Sequence, residues 1–189
     1  MATTEAGHAA PVLADIDATL VKAAIFFRNI SSSTTKGWHL DWLKLHVKTA
    51  GATGSSILYH AQVGTTTRLS TGGVALTVTQ PNMGAANDAS SLLTAQTGPI
   101  VITAENATTR NVMQGLIRDG IEVAGDTKTF IFGAEPLGTS NGELAAGTHD
   151  IIHMPPVFLP SGAEFILGLA QVGQNAPGVY GVSGGMYYR

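Results

Sequence analysis

Two groups of residues in this sequence have types and spacings that could support chemistry. The segment "GVSGG" at 181–185 matches G-x-S-x-G, the pattern that presents a nucleophilic serine between a strand and a helix. That chemistry needs an acid and then a histidine after the serine, but only Met186, Tyr187, Tyr188 and Arg189 follow Ser183. We interpret the match as chance glycine placement in a glycine-rich strand.

Histidines form the second group. His149 and His153 in "HDIIH" would lie on one side of a strand about 13 Å apart, too far to share a metal ion. His39, His46 and His60 could approach each other across paired strands, as in a cupin-like metal set. No glycine-and-glutamate signature accompanies them, so we interpret them as solvent-facing histidines on a sheet and predict no metal site.

Other catalytic patterns are weak. The segment "GATGSS" at 51–56 lacks the lysine of a phosphate-binding loop, and nothing places Asp119 and Glu122 together in a pocket. The sequence therefore predicts a protein that is not an enzyme and has no cofactor, with no catalytic, metal-binding or cofactor-binding residue. A metal-dependent cupin-like enzyme is the alternative, and it rests on the histidines alone.

The composition points to a protein that is built for contact with other proteins. Charged residues make up 12% of the 189 residues, against roughly 25% in an ordinary soluble domain. Runs such as "NISSSTTKG" indicate a Ser/Thr surface, which is easier to desolvate than a charged one. A net charge of −3 without a Lys/Arg run argues against nucleic acid as a partner. No apolar run is long enough to span a membrane, and there is no cysteine.

The elements that must carry these residues are strands. We predict them at about 23–31, 37–49, 55–63, 74–80, 99–104, 110–118, 121–124, 127–133, 148–154, 163–172 and 178–188. Residues 49–56 read as a hairpin turn, "LPSG" at 159–162 as a type I turn, and 81–98 as a short helix or long loop. Because no helix of 10 to 15 residues separates the strands, the predicted fold is all-β: an antiparallel β-sandwich, with a jelly roll as the most economical form.

The predicted domain organisation is one sandwich over residues 23–189 preceded by an N-terminal arm over 1–22. The arm is polar at first and then places Val12, Ile16 and Leu20 four residues apart, a weak helical stripe. It lacks the basic start and apolar run of a secretory signal, so we expect synthesis in the cytoplasm. An arm of this kind is expected to become ordered on a partner.

The strand at 37–49, "GWHLDWLKLHVKT", poses a question of parity. Simple alternation would put Trp38 and Trp42 on one face and Leu43 and Val47 on the other. A one-residue β-bulge near Trp42 resolves the conflict, because it shifts the parity and gives one apolar face and one polar face. The polar face would then carry His39, Asp41, Lys44, His46 and Lys48.

Several segments together resemble small jelly-roll virion proteins of tailed bacteriophages. They are "FFRNISSSTTKGWHLDWLKLHV", "AGATGSSILYHAQV", "LSTGGVALTVTQPNMGAANDASSL" and "PPVFLPSGAEFILGLAQ", and the resemblance extends over about residues 23–189. In that family the sandwich sits on the assembled head or at another virion vertex, often as a homotrimer or other ring. The resemblance implies a head decoration or cement protein located in the virion, and it supplies no catalytic residue.

These observations set the expected partners. We expect a homo-oligomer, for which a trimer is one form, bound to the major capsid protein, with no nucleic acid and no membrane. The predicted contact residues are the apolar arm positions and the bulge tryptophan: Val12, Leu13, Ile16, Leu20 and Trp42. The alternatives are a tail, neck or fibre component of the virion and a carbohydrate-binding β-sandwich. The second alternative would use exposed aromatic platforms from the set Trp38, Trp42, Tyr59, Tyr180, Tyr187 and Tyr188.

Overall fold

A computed structural model gives the fold, and it describes residues 3–5, 23–49, 56–76, 92–103, 106–118, 123–133, 149–172 and 179–189. The described residues form twelve strands: β1 (Thr3–Glu5), β2 (Ala23–Asn29), β3 (Trp38–Thr49), β4 (Ser56–Gly64), β5 (Leu69–Ala75), β6 (Leu93–Ile102), β7 (Arg110–Arg118), β8 (Thr127–Phe132), β9 (His149–Met154), β10 (Val157–Leu159), β11 (Glu164–Val172) and β12 (Val179–Tyr188). Within these ranges no helix has the length and apolar character needed to cross a membrane.

The strands form two six-stranded sheets. Sheet A has the order β1-β12-β3-β8-β9, with β10 pairing with the first part of β3, and sheet B has the order β5-β6-β2-β11-β4-β7. The prediction of an all-β sandwich is confirmed. One strand pair departs from the predicted antiparallel arrangement, because β8 and β9 run parallel. The chain between Phe132 and His149 is long enough for the crossover that parallel strands require, a dozen residues or more.

The main core lies between the two sheets. Sheet A contributes alternate residues of β3, β8 and β12, and sheet B contributes alternate residues of β2, β4, β6 and β11. Phe165 is fully buried at the centre, stacked on Phe27 at a ring-centroid distance of 6.3 Å and edge-on to Phe132 at 5.6 Å. With no cysteine in the chain, this packing of aromatic and branched side chains is the principal source of stability.

The predicted bulge in β3 is present. Trp42 pairs with Gly185 and Leu40 pairs with Met186, so Asp41 is the extra residue that has no partner on β12. On the other edge of β3, the partner changes at the same point from β10 to β8. The shift in parity buries Trp38, Leu40, Leu43, Leu45 and Val47 together and leaves the polar residues on the opposite face.

Two central strands of sheet B, rather than β3, bury side chains on both faces. Ile25 and Phe27 of β2 enter the main core, whereas Phe26 between them belongs to a second cluster on the outer face of sheet B. Ile166 of β11 joins that second cluster with Ile100 and Ile102 of β6, and Leu69 packs against it. Short continuous apolar runs such as "AAIFF" are typical of strands that are covered on both sides.

Two predicted turns need correction. Residues 49–56 do not form a hairpin, because β3 belongs to sheet A and β4 to sheet B, so this segment connects the two sheets. The turn near "LPSG" is shifted by one residue: Ala163 N donates to Pro160 O at 3.0 Å. Gly162 therefore occupies the third turn position with φ of 77°, which is the glycine-favouring position of a type II turn rather than a type I turn.

Several strand bounds also differ from the prediction. β5 begins at Leu69 instead of 74, and β6 begins at Leu93, inside the segment predicted as a helix or loop. The alternation in both is hidden by small side chains, and two glycines of β5, Gly72 and Gly73, have positive φ. The predicted strand at 121–124 is wrong at its described end, where Asp126 N donates to Val123 O in a turn. β10 and β1 were not predicted, and β1 lies within the predicted arm.

Candidate functional site

The outer face of sheet A, called face A below, presents exposed or half-buried aromatic, charged and hydroxyl side chains. The strand registers arrange it in rows across β12, β3 and β8. One row contains Gly185, Trp42 and Ile131, and the next contains Ser183, Lys44 and Thr129. The parallel strand β9 extends these rows with His153 and Ile151, and Ile151 is 51% exposed.

Aromatic rings cluster at the end of face A where β10 pairs with β3. The His39 ring lies between Phe158, at a centroid distance of 4.7 Å, and Tyr187, at 4.9 Å and nearly parallel. The guanidinium carbon of Arg189 lies 5.1 Å from the Tyr187 ring centroid, a cation–π contact. Phe158 and Tyr187 are 47% and 44% exposed, so this cluster is an open aromatic surface rather than part of the core.

Trp42 lies beside this cluster, at the bulge. A methyl group on Gly185 would overlap Trp42 Nε1, so the indole packs directly over the backbone of β12 at a glycine. Lys44 Nζ is 5.9 Å from the indole centroid. Trp42, Asp41, Lys44, Thr129 and Ile131 line a shallow depression of about 250 Å³. This volume is below the roughly 300 to 1,000 Å³ of pockets that hold drug-sized ligands, so the depression accommodates one side chain or one ring.

The serine of the G-x-S-x-G match has a histidine partner after all. His46 Nε2 and Ser183 Oγ are 2.9 Å apart, and the pair shares one hydrogen bond whose direction depends on the histidine tautomer. The histidine comes from β3, far upstream, and not from the residues after the serine. No carboxylate of the described residues contacts this pair, and Ser183 lies within β12 instead of on a strand-to-helix turn. The pair therefore lacks the third member and the exposed turn that nucleophilic catalysis uses.

The charge of face A comes from its lysine and arginine side chains. Burial lowers the pKa of His39, and the nearby Arg189 charge lowers it further. Burial also lowers the pKa of His46, with Lys44 as the second cause. Both imidazoles are therefore neutral at neutral pH. Among its described side chains, face A then carries the cations of Lys44, Lys48 and Arg189 and the carboxylate of Asp41, and the register of β1 places Glu5 on this face as well, in a chain whose net charge is −3.

The outer face of sheet B has a different character, because its polar groups are buried and bonded to each other. Glu164 is fully buried, and its carboxylate accepts hydrogen bonds from the backbone N–H of Arg68 at 3.0 and 3.2 Å. Arg68 Nη1 donates to Gln62 Oε1 at 2.8 Å, and its Nε and Nη2 donate to Thr103 O. Asn111 Oδ1 accepts from Gln62 Nε2 at 2.8 Å.

This network fastens the segment before β5 to strands β4, β6 and β11. Burial raises the pKa of Glu164, although the backbone hydrogen bond from Arg68 and the charges of Arg68 and Arg28 act in the opposite direction. A buried arginine and carboxylate that are saturated with hydrogen bonds are typical of a structural clasp. On the same face, Arg28 Nε and Gln96 Oε1 are buried without a hydrogen-bond partner among the described residues. The described part of this face lacks the exposed aromatic rings of face A, so face A is the better candidate for function.

The predicted histidine set does not come together. His39 and His46 lie on face A, whereas His60 lies on β4 in sheet B, where its Nε2 contacts Asn111 Oδ1 at 2.9 Å. The prediction that the three could approach each other across paired strands is wrong. In the described ranges, no three histidine or carboxylate side chains are grouped so that they could hold a metal ion. Asp119 and Glu122 lie outside the described residues.

Of the six aromatic side chains considered as carbohydrate platforms, two are available. Trp38, Tyr59 and Tyr180 are buried in the core, and Tyr188 packs against the core. Trp42 and Tyr187 face outward on face A. Among the predicted partner contacts, Trp42 lies on the exposed face, and the arm positions lie outside the described residues: Val12, Leu13, Ile16 and Leu20.

The sequence prediction did not identify Phe158 and Arg189 as surface features. Phe158 lies between Val157 and Leu159, which are both buried, so the period-2 alternation of a three-residue strand was the available signal. The Arg189 contact to Tyr187 follows the same period at the end of β12. Both signals are short, and both become informative only once β10 and β12 are known to flank β3.

Comparisons with known proteins gave no match: no family model matches the sequence, no curated protein matches it, and no solved structure matches the fold. The class that the structure defines is therefore an all-β sandwich with one open, aromatic outer face.

Proposed function

We propose that this chain is a virion structural protein of a tailed bacteriophage, most simply a head decoration protein that binds the assembled capsid and reinforces it. The observation that carries the proposal is face A, where exposed aromatic rings and cations lie on a rigid sheet without a catalytic cluster among the described residues. The resemblance of the strand and turn pattern to phage jelly-roll proteins supplies the virion setting and the jelly-roll connectivity. The partners are then other copies of the chain and the major capsid protein.

The physics of association supports this use of face A. Aromatic residues and arginine are enriched at the centres of protein interfaces, where they provide most of the binding energy. Phe158 and Tyr187 are already held in place by stacking on His39, so little side-chain entropy is lost on binding. The large apolar side chains exposed elsewhere in the described ranges include Ile30, Val74 and Val101, which are smaller anchors.

The direct test is to ask whether the chain belongs to the particle. Virions purified by density gradient should contain it in a copy number proportional to that of the capsid protein, and electron microscopy should locate it on the head. A location at the neck, tail or fibres would favour the alternative virion role, and absence from the particles would overturn the proposal.

A matched pair of variants connects face A to this role. Replacing Phe158 and Tyr187 with alanine should reduce incorporation into particles at least tenfold, because both changes remove interface anchors. Replacing Val74 and Val101 of sheet B with alanine removes exposed apolar area elsewhere and should leave incorporation unchanged. Equal incorporation of the two double variants would show that face A is not the contact surface.

Carbohydrate binding is a second candidate function, favoured by the depression beside Trp42. The indole offers a stacking surface, and Asp41, Lys44 and Thr129 around it offer hydrogen-bonding groups. A panel of hexoses and bacterial polysaccharides should then change the fluorescence of Trp42, and the change should disappear in Trp42→Ala. If no member of the panel changes the fluorescence, this second function is excluded for the tested sugars.

A further inference from the structure

We propose that face A is the docking surface for residues 11–21 of a neighbouring copy of this chain. The proposal rests on the proposed function and deepens it, because it names the subunit that face A contacts. It is carried by the charge of face A, by the sequence of the arm and by the positions of the two strands between which the arm runs.

Charge complementarity selects the occupant. Face A carries more cations than carboxylates, whereas the whole chain has a net charge of −3, so the rest of the chain must be more acidic than the whole. Residues 11–21 contain Asp15 and Asp17 and no lysine or arginine. Opposite charges on two surfaces of the same chain favour contact between copies and disfavour other pairings.

Apolar complementarity supports the same occupant. The arm places Val12, Leu13, Ile16 and Leu20 among its acidic residues. Face A offers the exposed rings of Phe158 and Tyr187 and the depression beside Trp42, which is large enough for one branched apolar side chain. A segment that contains both apolar and acidic residues therefore matches a surface that contains both aromatic rings and cations.

Strands β1 and β2 fix the two ends of the part of the arm that lies between them, residues 6–22. Glu5 in β1 pairs with Val179 of β12, at the edge of sheet A, and Ala23 in β2 pairs with Ile100 in sheet B. The chain between them, residues 6–22, could span at most about 60 Å if fully extended. Because both ends of this segment are held in its own copy, it can extend at most about 30 Å, half of that length, towards face A of the next copy.

The excess of cations on face A also disfavours a two-fold dimer in which two copies meet face A to face A. If two copies met face A to face A, Lys44 and Arg189 of each would approach the same cations of the other. Like charges across an interface are unfavourable, so a two-fold face-to-face contact is disfavoured. An arm that docks on face A of a neighbour avoids this repulsion, either by reciprocal exchange between two copies or as a heterologous contact that forms a ring where the rotation closes.

The test exchanges charges between the arm and face A in the full-length chain. The arm variant carries D15K and D17K, and the face variant carries K44E and R189E. Sedimentation velocity should give an oligomer for the wild type and a monomer for each variant alone. An equimolar mixture of the two variants should associate through contacts between unlike variants, because the substituted arm matches the substituted face and the wild-type arm matches the wild-type face. The chain with all four substitutions should recover the wild-type oligomer.

A control variant separates specific contact from general charge. R110E reverses an exposed cation of sheet B, away from face A, with half the change in net charge of the face variant, and it should sediment as the wild type does. Circular dichroism must show the same β spectrum for every variant. A face variant that still forms the wild-type oligomer would overturn the proposal. Recovery in the four-substitution chain without association in the mixture would also overturn it, because the arm would then dock on its own copy.

The proposed function and this proposal fail in different experiments. If the face variant keeps its oligomer but no longer binds capsids, face A contacts the capsid protein, so the arm proposal is wrong and the virion role stands. If the charge exchange behaves as expected but the chain is absent from purified virions, the arm contact stands and the virion role is wrong.

Discussion

Deleting Asp41 is the sharpest test of how β3 positions face A. Asp41 is the extra residue of the bulge, so its removal restores simple alternation along the strand. The part of β3 after the bulge pairs with both β8 and β12 over residues 42–46 and should keep its register. The shorter part at 38–40 must then turn over, because a shift of one residue exchanges the two faces of a strand.

The cost of this change follows from the side chains that turn over. Trp38 and Leu40 are 6% and 4% exposed, and each would lose about 1.5 to 3 kcal/mol of burial energy. The hydrogen bond from Trp38 Nε1 to Leu92 O, 3.2 Å long, would also be lost, at about 0.5 to 1.5 kcal/mol. We therefore expect the free energy of unfolding to fall by about 3.5 to 7.5 kcal/mol, a large part of the roughly 5 to 15 kcal/mol typical of a domain.

Urea unfolding followed by circular dichroism measures this loss. The midpoint should fall by roughly 2 to 4 M, given a typical dependence of about 2 kcal/mol per molar urea. Two controls are available. Asp41→Ala keeps the length of the strand and should change the free energy of unfolding by less than about 0.5 kcal/mol. Deletion of Thr34 also removes one residue, but it shortens only the exposed segment before β3 and should leave the parity of β3 unchanged. If the Asp41 deletion unfolds at the same midpoint as Asp41→Ala, the bulge does not set the parity of β3.

Three further predictions concern packing and ionisation. Phe165→Ala should lower the free energy of unfolding by about 3 to 5 kcal/mol, because a fully buried ring is lost between Phe27 and Phe132, and a urea titration would measure it. Gly185→Ala should lower the free energy of unfolding by about 1 to 3 kcal/mol and shift the fluorescence of the displaced Trp42. As a control, Gly64→Ala, whose Cβ would lie 3.8 Å from its nearest neighbours, should lower it by less than about 1 kcal/mol. Burial raises the pKa of Glu164, so the folded state binds the carboxyl proton more tightly than the unfolded state does. The stabilisation of the folded state by this proton is complete below the unfolded pKa and is lost as pH rises through the folded pKa. The stability of the wild type relative to Glu164→Gln should therefore decrease from acidic to neutral pH in a series of urea titrations, and a difference that stays constant or increases with pH would contradict the pKa assignment.

Patterns that lie within one strand could be predicted from the sequence. The two out-of-phase apolar sets of β3 predicted a bulge near Trp42, and the bulge lies next to this residue, at Asp41. The strands with large alternating side chains, such as β4, β7 and β11, were also predicted close to their observed bounds. In each case the signal is local, because burial of one face of a strand fixes which of its residues are apolar.

Features that depend on which strands become neighbours could not be predicted. The pairing of Ser183 with His46 joins residues 137 positions apart, and it exists only because β12 lies beside β3. The same holds for the stack of Phe158, His39 and Tyr187, which requires both β10 and β12 to flank β3. Strand order is set by the packing of the whole chain, and a single sequence carries little direct information about it.

The contrast between the two outer faces bears on how the sandwich is used. Each sheet needs to bury only one face to form the core, and sheet B also buries its outer face, with Phe26 and Ile166 covered there. Sheet A leaves rings of comparable size open to solvent at Phe158 and Tyr187. The Trp42 indole lies over Gly185 of β12, two residues before Tyr187, so the open rings of face A follow the neighbouring strands β10, β3 and β12. Rings along strands, with Lys44 beside Trp42 and Arg189 beside Tyr187, suit an extended segment of apolar and acidic residues, and this favours an arm, rather than a second sandwich, as the occupant of face A.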